Sequence, residues 1–256
     1  MADEILVQTD DHVRTITLNR PEKRNALTTP MVERFRALVE EVGSSDDVRV
    51  VVVRGEGAAF CAGMDLRELE AQRAAGAVDL NALEHALHSL EACPLPTIAA
   101  VQGDAVAGGC ELALHCDLRV ATETARFAMP LARIGIAVPV ALTWKLVDSI
   151  GAAATKELLF TGEPVGAETA LSLGLVNRVV AVADLDQAVA ELARVIAHNA
   201  PLSIRAMKAF VQRRTESRSL RRDDLDELAN RVRTSEDAQE GLRAQRERRA
   251  PLFRGR

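Results

Sequence analysis

The feature that most constrains the fold is the alternation of short apolar strands with helical segments in the first half of the chain. Val48–Val53, with four consecutive valines, predicts a buried strand, Asn81–Leu90 predicts a helix and Thr97–Val101 a second strand. Gly108–His115 and Asp117–Ala121 repeat the helix and the strand. Strands that alternate with helices are typical of sheets with parallel pairing, so the sequence predicts an α/β fold.

The last fifth of the chain has a different pattern, in which helices predominate. Helical periodicity is predicted over Leu202–Val211, Arg222–Thr234 and Glu236–Arg248. We therefore predict a core over residues 1–200 and a C-terminal helical region over residues 201–256. Helices with two distinct faces often cover a neighbouring subunit, so we expect a homo-oligomer.

The composition is that of an ordinary globular protein. The 256 residues are 48% hydrophobic and 27% charged, which allows a sizeable core. The segment Met1–Ile5 is acidic and lacks the positive start of a signal peptide, and no window is apolar for long enough to span a bilayer. We expect a cytoplasmic protein with no membrane span.

Charge and cysteine spacing argue against nucleic-acid and metal sites. Residues 201–256 contain 15 Lys and Arg against 9 Asp and Glu, but the two signs alternate, as in Arg221-Arg222-Asp223-Asp224, which favours solvated helix faces. The four cysteines have irregular spacing and form no CxxC pair, so we expect reduced, buried thiols and no metal site.

One carboxylate stands out as a candidate catalytic group. Glu111 follows the pair Gly108-Gly109, which can begin a helix and expose backbone N–H groups. Upstream, Phe60–Asp65 forms a second turn of mostly small residues shortly after the valine strand. Two N–H donors that face one point can bind an oxyanion, so these segments predict an oxyanion-binding site beside Glu111.

Five sequence motifs occur in order along nearly the whole chain. They are Leu18-Asn19-Arg20-Pro21 with Asn25-Ala26-Leu27, Phe60–Leu66, Pro96–Gly103, Ala107–Leu114 with Cys116-Asp117, and Thr161-Gly162 with Ala170 and Gly174–Asn177. Each motif alone is weakly specific, but their order is highly specific. Together they resemble the crotonase superfamily, the enoyl-CoA hydratase/isomerase family.

The resemblance implies a crotonase-like spiral of stacked ββα units with an α-helical C-terminal trimerisation region. It also implies a homotrimer or a dimer of trimers, and an acyl-CoA thioester as substrate. By position, the backbone N–H groups of Met64 and Gly108 match the oxyanion hole of the family, and Glu111 matches the first of its two glutamates.

The resemblance also indicates which segments contact the substrate. Positions Arg24, Ala26 and Ala62 match segments that hold coenzyme A, with Arg24 as a phosphate partner, and Asp65 and Leu66 follow in the same motif. Coenzyme A is part of the substrate in this family, so no separate cofactor is expected.

The second glutamate of the hydratases falls at Leu131, which we expect to line an apolar acyl pocket. Glu111 would then be the single acid and base. A single carboxylate suits a 1,3-proton shift, because the acid formed in the first half-reaction is the donor in the second. Hydration by Glu111 alone would be slower.

Two further functions remain open on the sequence. The first is a non-catalytic acyl-CoA-binding homologue that has lost turnover along with one acid. The second is a decarboxylase of short malonyl-type CoA esters, since such relatives also lack the second glutamate. Met64 is apolar and the chain contains no tyrosine, which disfavours the decarboxylase.

Overall fold

The computed structural model of the chain describes residues 3–43, 47–74, 81–216 and 234–252. The strands in these ranges are β1 (Ile5–Asp10), β2 (Val13–Leu18), β3 (Val50–Gly55), β4 (Thr97–Val101), β5 (Asp104–Val106), β6 (Leu118–Thr122), β7 (Arg126–Ala128), β8 (Val165–Gly166) and β9 (Arg178–Val180). The α-helices are α1 (Thr29–Gly43), α2 (Leu66–Ala74), α3 (Asn81–Ala92), α4 (Gly108–His115), α5 (Val140–Thr161), α6 (Ala167–Leu173), α7 (Leu185–Ala197), α8 (Pro201–Glu216) and α9 (Glu236–Arg246). Three short 3₁₀ helices complete the described elements, at Pro21–Lys23, Pro130–Ile134 and Val182–Asp184.

The strands form one large sheet and one small sheet. The large sheet has the order β1-β2-β3-β4-β6-β9, in which β1 pairs antiparallel with β2 and every other pair is parallel. The small sheet has the order β5-β7-β8. This mixed arrangement of sheets and helices confirms the predicted α/β class.

The valine strand is apolar on both sides because its two faces pack against different helices. Val51 and Val53 belong to the main core, with residues of α1, α3 and α4. Val50 and Val52 belong to a second core on the opposite face, which includes Leu185 of α7. A central strand covered on both faces loses the polar alternation of a half-exposed strand, which explains the run of four valines.

A close contact between the segment that follows β3 and the segment that leads into α4 positions the start of α4. Cys61 forms an isolated parallel bridge with Ala105, just before α4 begins. A Cβ atom placed on Gly109 would lie only 2.1 Å from the carbonyl oxygen of Cys61, so only glycine permits this approach. The start of α4 therefore lies directly on the turn formed by Phe60–Asp65.

Some elements differ from the sequence-based prediction. The sequence predicts two helices, Val140–Ser149 and Ala152–Phe160, where the structure has the single stretch α5 with a kink at Gly151, whose φ is 76°. Helix α2 and the short strands β5 and β8 were not predicted. The predicted helix Arg222–Thr234 lies outside the described residues.

The described part of the C-terminal region is helical, as predicted. Helix α9 packs against the 3₁₀ helix Pro130–Ile134 of the same chain, while α8 follows directly on α7. The domain boundary near residue 200 and the role of this region in trimerisation stay predictions.

Gly109→Ala is expected to reduce the free energy of unfolding by about 3 kcal/mol, because the added methyl group would overlap a backbone carbonyl that cannot rotate away. Gly166→Ala is the matched control, since a Cβ atom at Gly166 would meet nothing within 4 Å. We expect that control to change stability by about 1 kcal/mol or less. Urea unfolding of both variants measures the difference, and equal losses would contradict the packing described for Gly109.

Candidate active site

The first predicted oxyanion donor, the N–H of Met64, lies in a turn whose neighbouring groups are already paired. The N–H of Leu27 donates to the carbonyl of Gly63 at 2.8 Å, and the N–H of Asp65 donates to the carbonyl of Leu27 at 2.8 Å. In such a parallel bridge the N–H of the middle residue points away from the partner strand. Gly63 has a φ of 87°, which favours glycine and reverses the chain before Met64.

The second predicted donor, the N–H of Gly108, begins helix α4 and faces the same turn. The first N–H groups of a helix have no partner within the helix. A Cβ atom placed on Gly108 would lie 3.6 Å from the backbone nitrogen of Met64, so the two residues are adjacent. Neither N–H has a hydrogen-bond partner among the described residues. Two such donors side by side form an arrangement that can bind an oxyanion.

Glu111 lies in the first turn of the same helix and is almost fully buried. Glu111 is 7% exposed, and its carboxylate has no hydrogen bond or ion pair with a described residue. Burial raises the pKa of Glu111 to about 7, and the negative charge of Glu84 contributes a smaller part of this increase. A carboxyl group with this pKa can both accept and donate a proton near neutral pH.

The cysteines beside this site are poor nucleophiles. Cys61 and Cys110 are free and fully buried, and burial raises the pKa of each thiol to about 12. A thiol with this pKa contains almost no thiolate at neutral pH, so covalent catalysis by either cysteine is disfavoured. Glu111 remains the principal candidate for proton transfer.

The residues predicted to hold coenzyme A come together beside the Met64 turn. The N–H of Ala62 donates to the carbonyl of Arg24 at 3.0 Å, and Arg20 Nη1 donates to the carbonyl of Ala26 at 2.7 Å. Asn25 is fully buried and its side-chain amide donates to the carbonyls of three residues, Glu56, Ala59 and Phe60. The buried amide holds the segment in place and leaves the Arg24 side chain exposed.

Asp65 and Leu66 lie at the start of α2, next to this segment. An Asp65 oxygen is 3.2 Å from Arg20 Nη1, and the other accepts from the N–H of Arg67 at 3.1 Å. The carboxylate of Asp65 is thus engaged in an ion pair and a helix cap. Leu66 is 38% exposed. Contact of either residue with a ligand stays a prediction.

Leu131 lies in the 3₁₀ helix that follows β7, partly buried against the main core. The carbonyl of Ala128, at the end of β7, accepts from the N–H of Ala107 at 2.9 Å, which links this segment to the start of α4. Nearby, Arg133 Nε donates to the carbonyl of Thr161 at 2.9 Å and its guanidinium pairs with Glu163. Arg133 is therefore directed to the end of α5, and the segment that contains Leu131 offers no second carboxylate.

Two polar residues near Glu111 were not singled out by the sequence analysis. His115, one helical turn after Glu111, donates from Nδ1 to the Glu111 carbonyl at 2.8 Å, and its Nε2 lies 3.9 Å from Glu91. Burial, with a smaller contribution from Lys145, lowers the pKa of His115 to about 4. Glu84 of α3 affects Glu111 by its charge. The spacing of four residues between Glu111 and His115 was the available signal in the sequence.

The described ranges contain neither a metal-binding cluster nor a membrane-spanning helix. No group of three His, Cys, Asp or Glu side chains in them could hold a metal ion. No helix in these ranges is both long enough and apolar enough to cross a membrane.

Comparison with known sequences identifies the relatives of this chain. Residues 8–256 match the family model described as enoyl-CoA hydratase/isomerase. The putative enoyl-CoA hydratase/isomerase YngF of Bacillus subtilis is 36% identical over 261 residues, which cover 100% of both chains.

Comparison with solved structures gives the same family. The crystal structure of an enoyl-CoA hydratase/carnithine racemase from Magnetospirillum magneticum is 36% identical, covers 100% of this chain and 97% of its own, and has a TM-score of 0.80. The crystal structure of a methylmalonyl CoA decarboxylase complexed with 2S-carboxypropyl CoA is 28% identical, covers 100% of both chains and has a TM-score of 0.90. The overall fold is therefore that of the crotonase-like structures.

Glu111→Gln is expected to increase the free energy of unfolding at about pH 8 and to change it little at about pH 5. The native protein holds this proton more tightly than the unfolded chain does, so it loses stability as the pH rises from 4.5 to about 7. Gln has no proton to lose. The full shift corresponds to at most about 3 kcal/mol.

Urea unfolding at the two pH values tests this expectation. Glu33→Gln is the matched control, because Glu33 is exposed on α1 and its replacement removes the same charge. A gain in stability for Glu111→Gln that is equal at both pH values would show that the buried carboxylate does not titrate as described.

Proposed function

Because the chain belongs to the enoyl-CoA hydratase/isomerase family of acyl-CoA enzymes, we propose that its site stabilises the enolate of an acyl-CoA thioester and that Glu111 exchanges the α-proton. One observation carries the proposal. The carboxylate of Glu111 is buried and has no partner among the described residues, and it lies one helical turn from the N–H of Gly108, which is adjacent to the N–H of Met64.

Removal of the α-proton is the step that the site has to make energetically favourable. Such a proton leaves at a useful rate only when the negative charge that develops on the thioester oxygen is stabilised. Each N–H of an oxyanion hole typically contributes about 3 kcal/mol to that stabilisation. Met64 and Gly108 supply the two donors in this proposal, and Glu111 accepts or returns the proton.

The substrate side of the proposal rests on the paired segments beside the Met64 turn. The backbone of Ala26 and Ala62 borders coenzyme A, and the exposed Arg24 binds a phosphate. Leu131 contributes to an apolar acyl pocket. The reaction needs no separate cofactor, because coenzyme A activates the acyl group as its thioester.

The reaction that Glu111 alone supports best is a 1,3-proton shift between 3-enoyl and 2-enoyl thioesters. Ionised Glu111 takes the α-proton, the enolate forms in the oxyanion hole, and the protonated Glu111 returns the proton at the γ-carbon. Hydration of a 2-enoyl thioester also needs an activated water, so it would be slower with Glu111 alone than with a second carboxylate. Leu131 cannot activate that water.

The assembly that we propose is a homotrimer or a dimer of trimers in the cytoplasm. The family likeness supports it, and so does the exposure of large apolar side chains on described helices. Leu202 and Phe210 of α8 are 80% and 72% exposed, and Phe160 of α5 is 74% exposed. Apolar side chains of this size are commonly covered in an oligomer.

The proposal predicts that the protein exchanges the α-protons of butyryl-CoA with deuterium from the solvent. The rate is expected to rise with pH through about 7, because the ionised form of Glu111 is the base. Glu111→Gln should reduce the rate by about 100-fold or more. Mass spectrometry of the recovered thioester measures the exchange.

Exposed Glu33 provides the control variant, Glu33→Gln, which is expected to keep the native rate. Absorbance assays with crotonyl-CoA and a 3-enoyl-CoA follow turnover in the same samples. Tight acyl-CoA binding without exchange or turnover would contradict the proposal and favour a non-catalytic acyl-CoA-binding homologue.

The structural similarity to methylmalonyl CoA decarboxylase, with a TM-score of 0.90, favours decarboxylation as a second candidate function. Loss of CO₂ from a malonyl-type thioester leaves the same enolate, which Glu111 would protonate. If this is the activity, methylmalonyl-CoA will release CO₂ faster than crotonyl-CoA is consumed. We expect the reverse order, because Met64 is apolar and the chain has no tyrosine for the carboxylate. Measuring both rates on one preparation decides between the two.

A further inference from the structure

Helices α3 and α4 lie side by side, and two contacts fix how they are aligned. Near their starts, a Leu83 δ-carbon lies 2.9 Å from the position that a Cβ atom on Gly108 would take. Near their ends, Glu91 lies 3.9 Å from Nε2 of His115. The contacts are eight residues apart on α3 and seven apart on α4, so the helices run in the same direction and nearly in step.

This alignment brings Glu84 to the level of the active site. Residues seven apart lie on the same face of a helix, so Glu84 shares with Glu91 the side of α3 that faces α4. Glu84 also follows Leu83, which contacts the start of α4. The effect of its charge on the pKa of Glu111 agrees independently with this placement.

Glu84 and Glu111 have opposite environments. Glu84 is exposed and forms no hydrogen bond or ion pair with the described residues, whereas Glu111 is buried. Glu91, by contrast, pairs with Lys145 at 2.6 Å and is held in a cluster with His115. Among the carboxylates of α3, Glu84 is thus the one that stands at the solvent side of the site and is available for proton transfer.

We propose that Glu84 is the second carboxylate of this active site and acts as the base that activates water in the hydration of a 2-enoyl-CoA. The inference rests on the proposed function, since it assigns a partner to Glu111 at the same oxyanion hole. It also supplies, from a different helix, the group that is missing at Leu131.

The proposed step balances in protons and electrons. The oxygen of water bonds to C3 of the enoyl thioester while one of its protons passes to Glu84. The π electrons of the C2=C3 bond move to C2 and the thioester oxygen, where the N–H groups of Met64 and Gly108 bind the enolate. Protonated Glu111 then gives its proton to C2. Glu84 releases its proton to solvent and Glu111 takes one up, so one water has been added.

The pair of reactions at this site separates the two roles. Exchange of the α-protons of butyryl-CoA needs ionised Glu111 and no activated water, whereas hydration of crotonyl-CoA needs both carboxylates. Glu84→Gln is therefore expected to reduce hydration by about 100-fold or more. Exchange should persist in this variant, with its pH midpoint moved to lower pH because a negative charge near Glu111 is lost.

Two further variants complete the experiment. Glu84→Asp keeps the carboxylate on a shorter side chain and should recover part of the hydration rate. Glu33→Gln removes an exposed glutamate of α1 and should leave hydration, exchange and the pH midpoint unchanged. Circular dichroism of each variant confirms that it is folded.

Three outcomes would overturn the inference. They are hydration by Glu84→Gln within about threefold of the native rate, an equal loss of hydration and exchange, and a native protein that exchanges α-protons without hydrating crotonyl-CoA. In the first and third of these cases exchange by the native protein still supports the proposed function. A native protein without exchange or turnover would refute the proposed function itself, which is a separate observation.

Discussion

The contact between the start of α4 and the turn Phe60–Asp65 is the constraint on which the site depends. Gly109 allows the helix to approach the carbonyl of Cys61 at a distance that no side chain would permit. The same approach places the N–H of Gly108 beside the N–H of Met64 and carries Glu111 into the core. One backbone contact thus sets the positions of both donors and of the carboxylate.

Burial of Glu111 illustrates how such a site is maintained at the expense of stability. A carboxylate removed from water with no hydrogen-bond donor is unfavourable in its charged form, and its raised pKa expresses that cost. The buried apolar residues of the two cores, including the four valines of β3, contribute far more to folding than this one group costs. The core therefore tolerates a carboxyl group that is matched to proton transfer near neutral pH.

Sequence patterns were sufficient for the elements that depend on local signals. The valine strand and the helix that begins at Gly108 were both predicted, because β-branched runs and glycine pairs act over a few residues. Glu111 could be singled out for the same reason, since it directly follows Gly108-Gly109. The functional importance of position 131 could be predicted only from the family motif, because no local pattern indicates which distant segment belongs to the same site as Glu111.

The residues that the sequence did not reveal depend on how elements pack. Glu84 resembles any exposed helical glutamate until α3 is aligned with α4, and that alignment is fixed by Leu83 and Glu91, which belong to different turns. The pairing of the Asp65 carboxylate with Arg20 likewise depends on how two distant segments pack. Long-range register is not encoded in a local period, so it can be obtained only from the folded arrangement.

A pair of carboxylates in unequal environments has a chemical advantage over a matched pair. Two close carboxylates at equal exposure lose their protons in two steps that belong to the pair, so neither residue is fixed as the acid. Burial of Glu111 in the core raises its pKa and favours a proton there, whereas Glu84 lies at the solvent side. Hydration needs one protonated and one ionised group at the same time. In our proposal Glu84 provides the second carboxylate that a glutamate at position 131 would have supplied. Hydration therefore remains possible although Leu131 cannot take part.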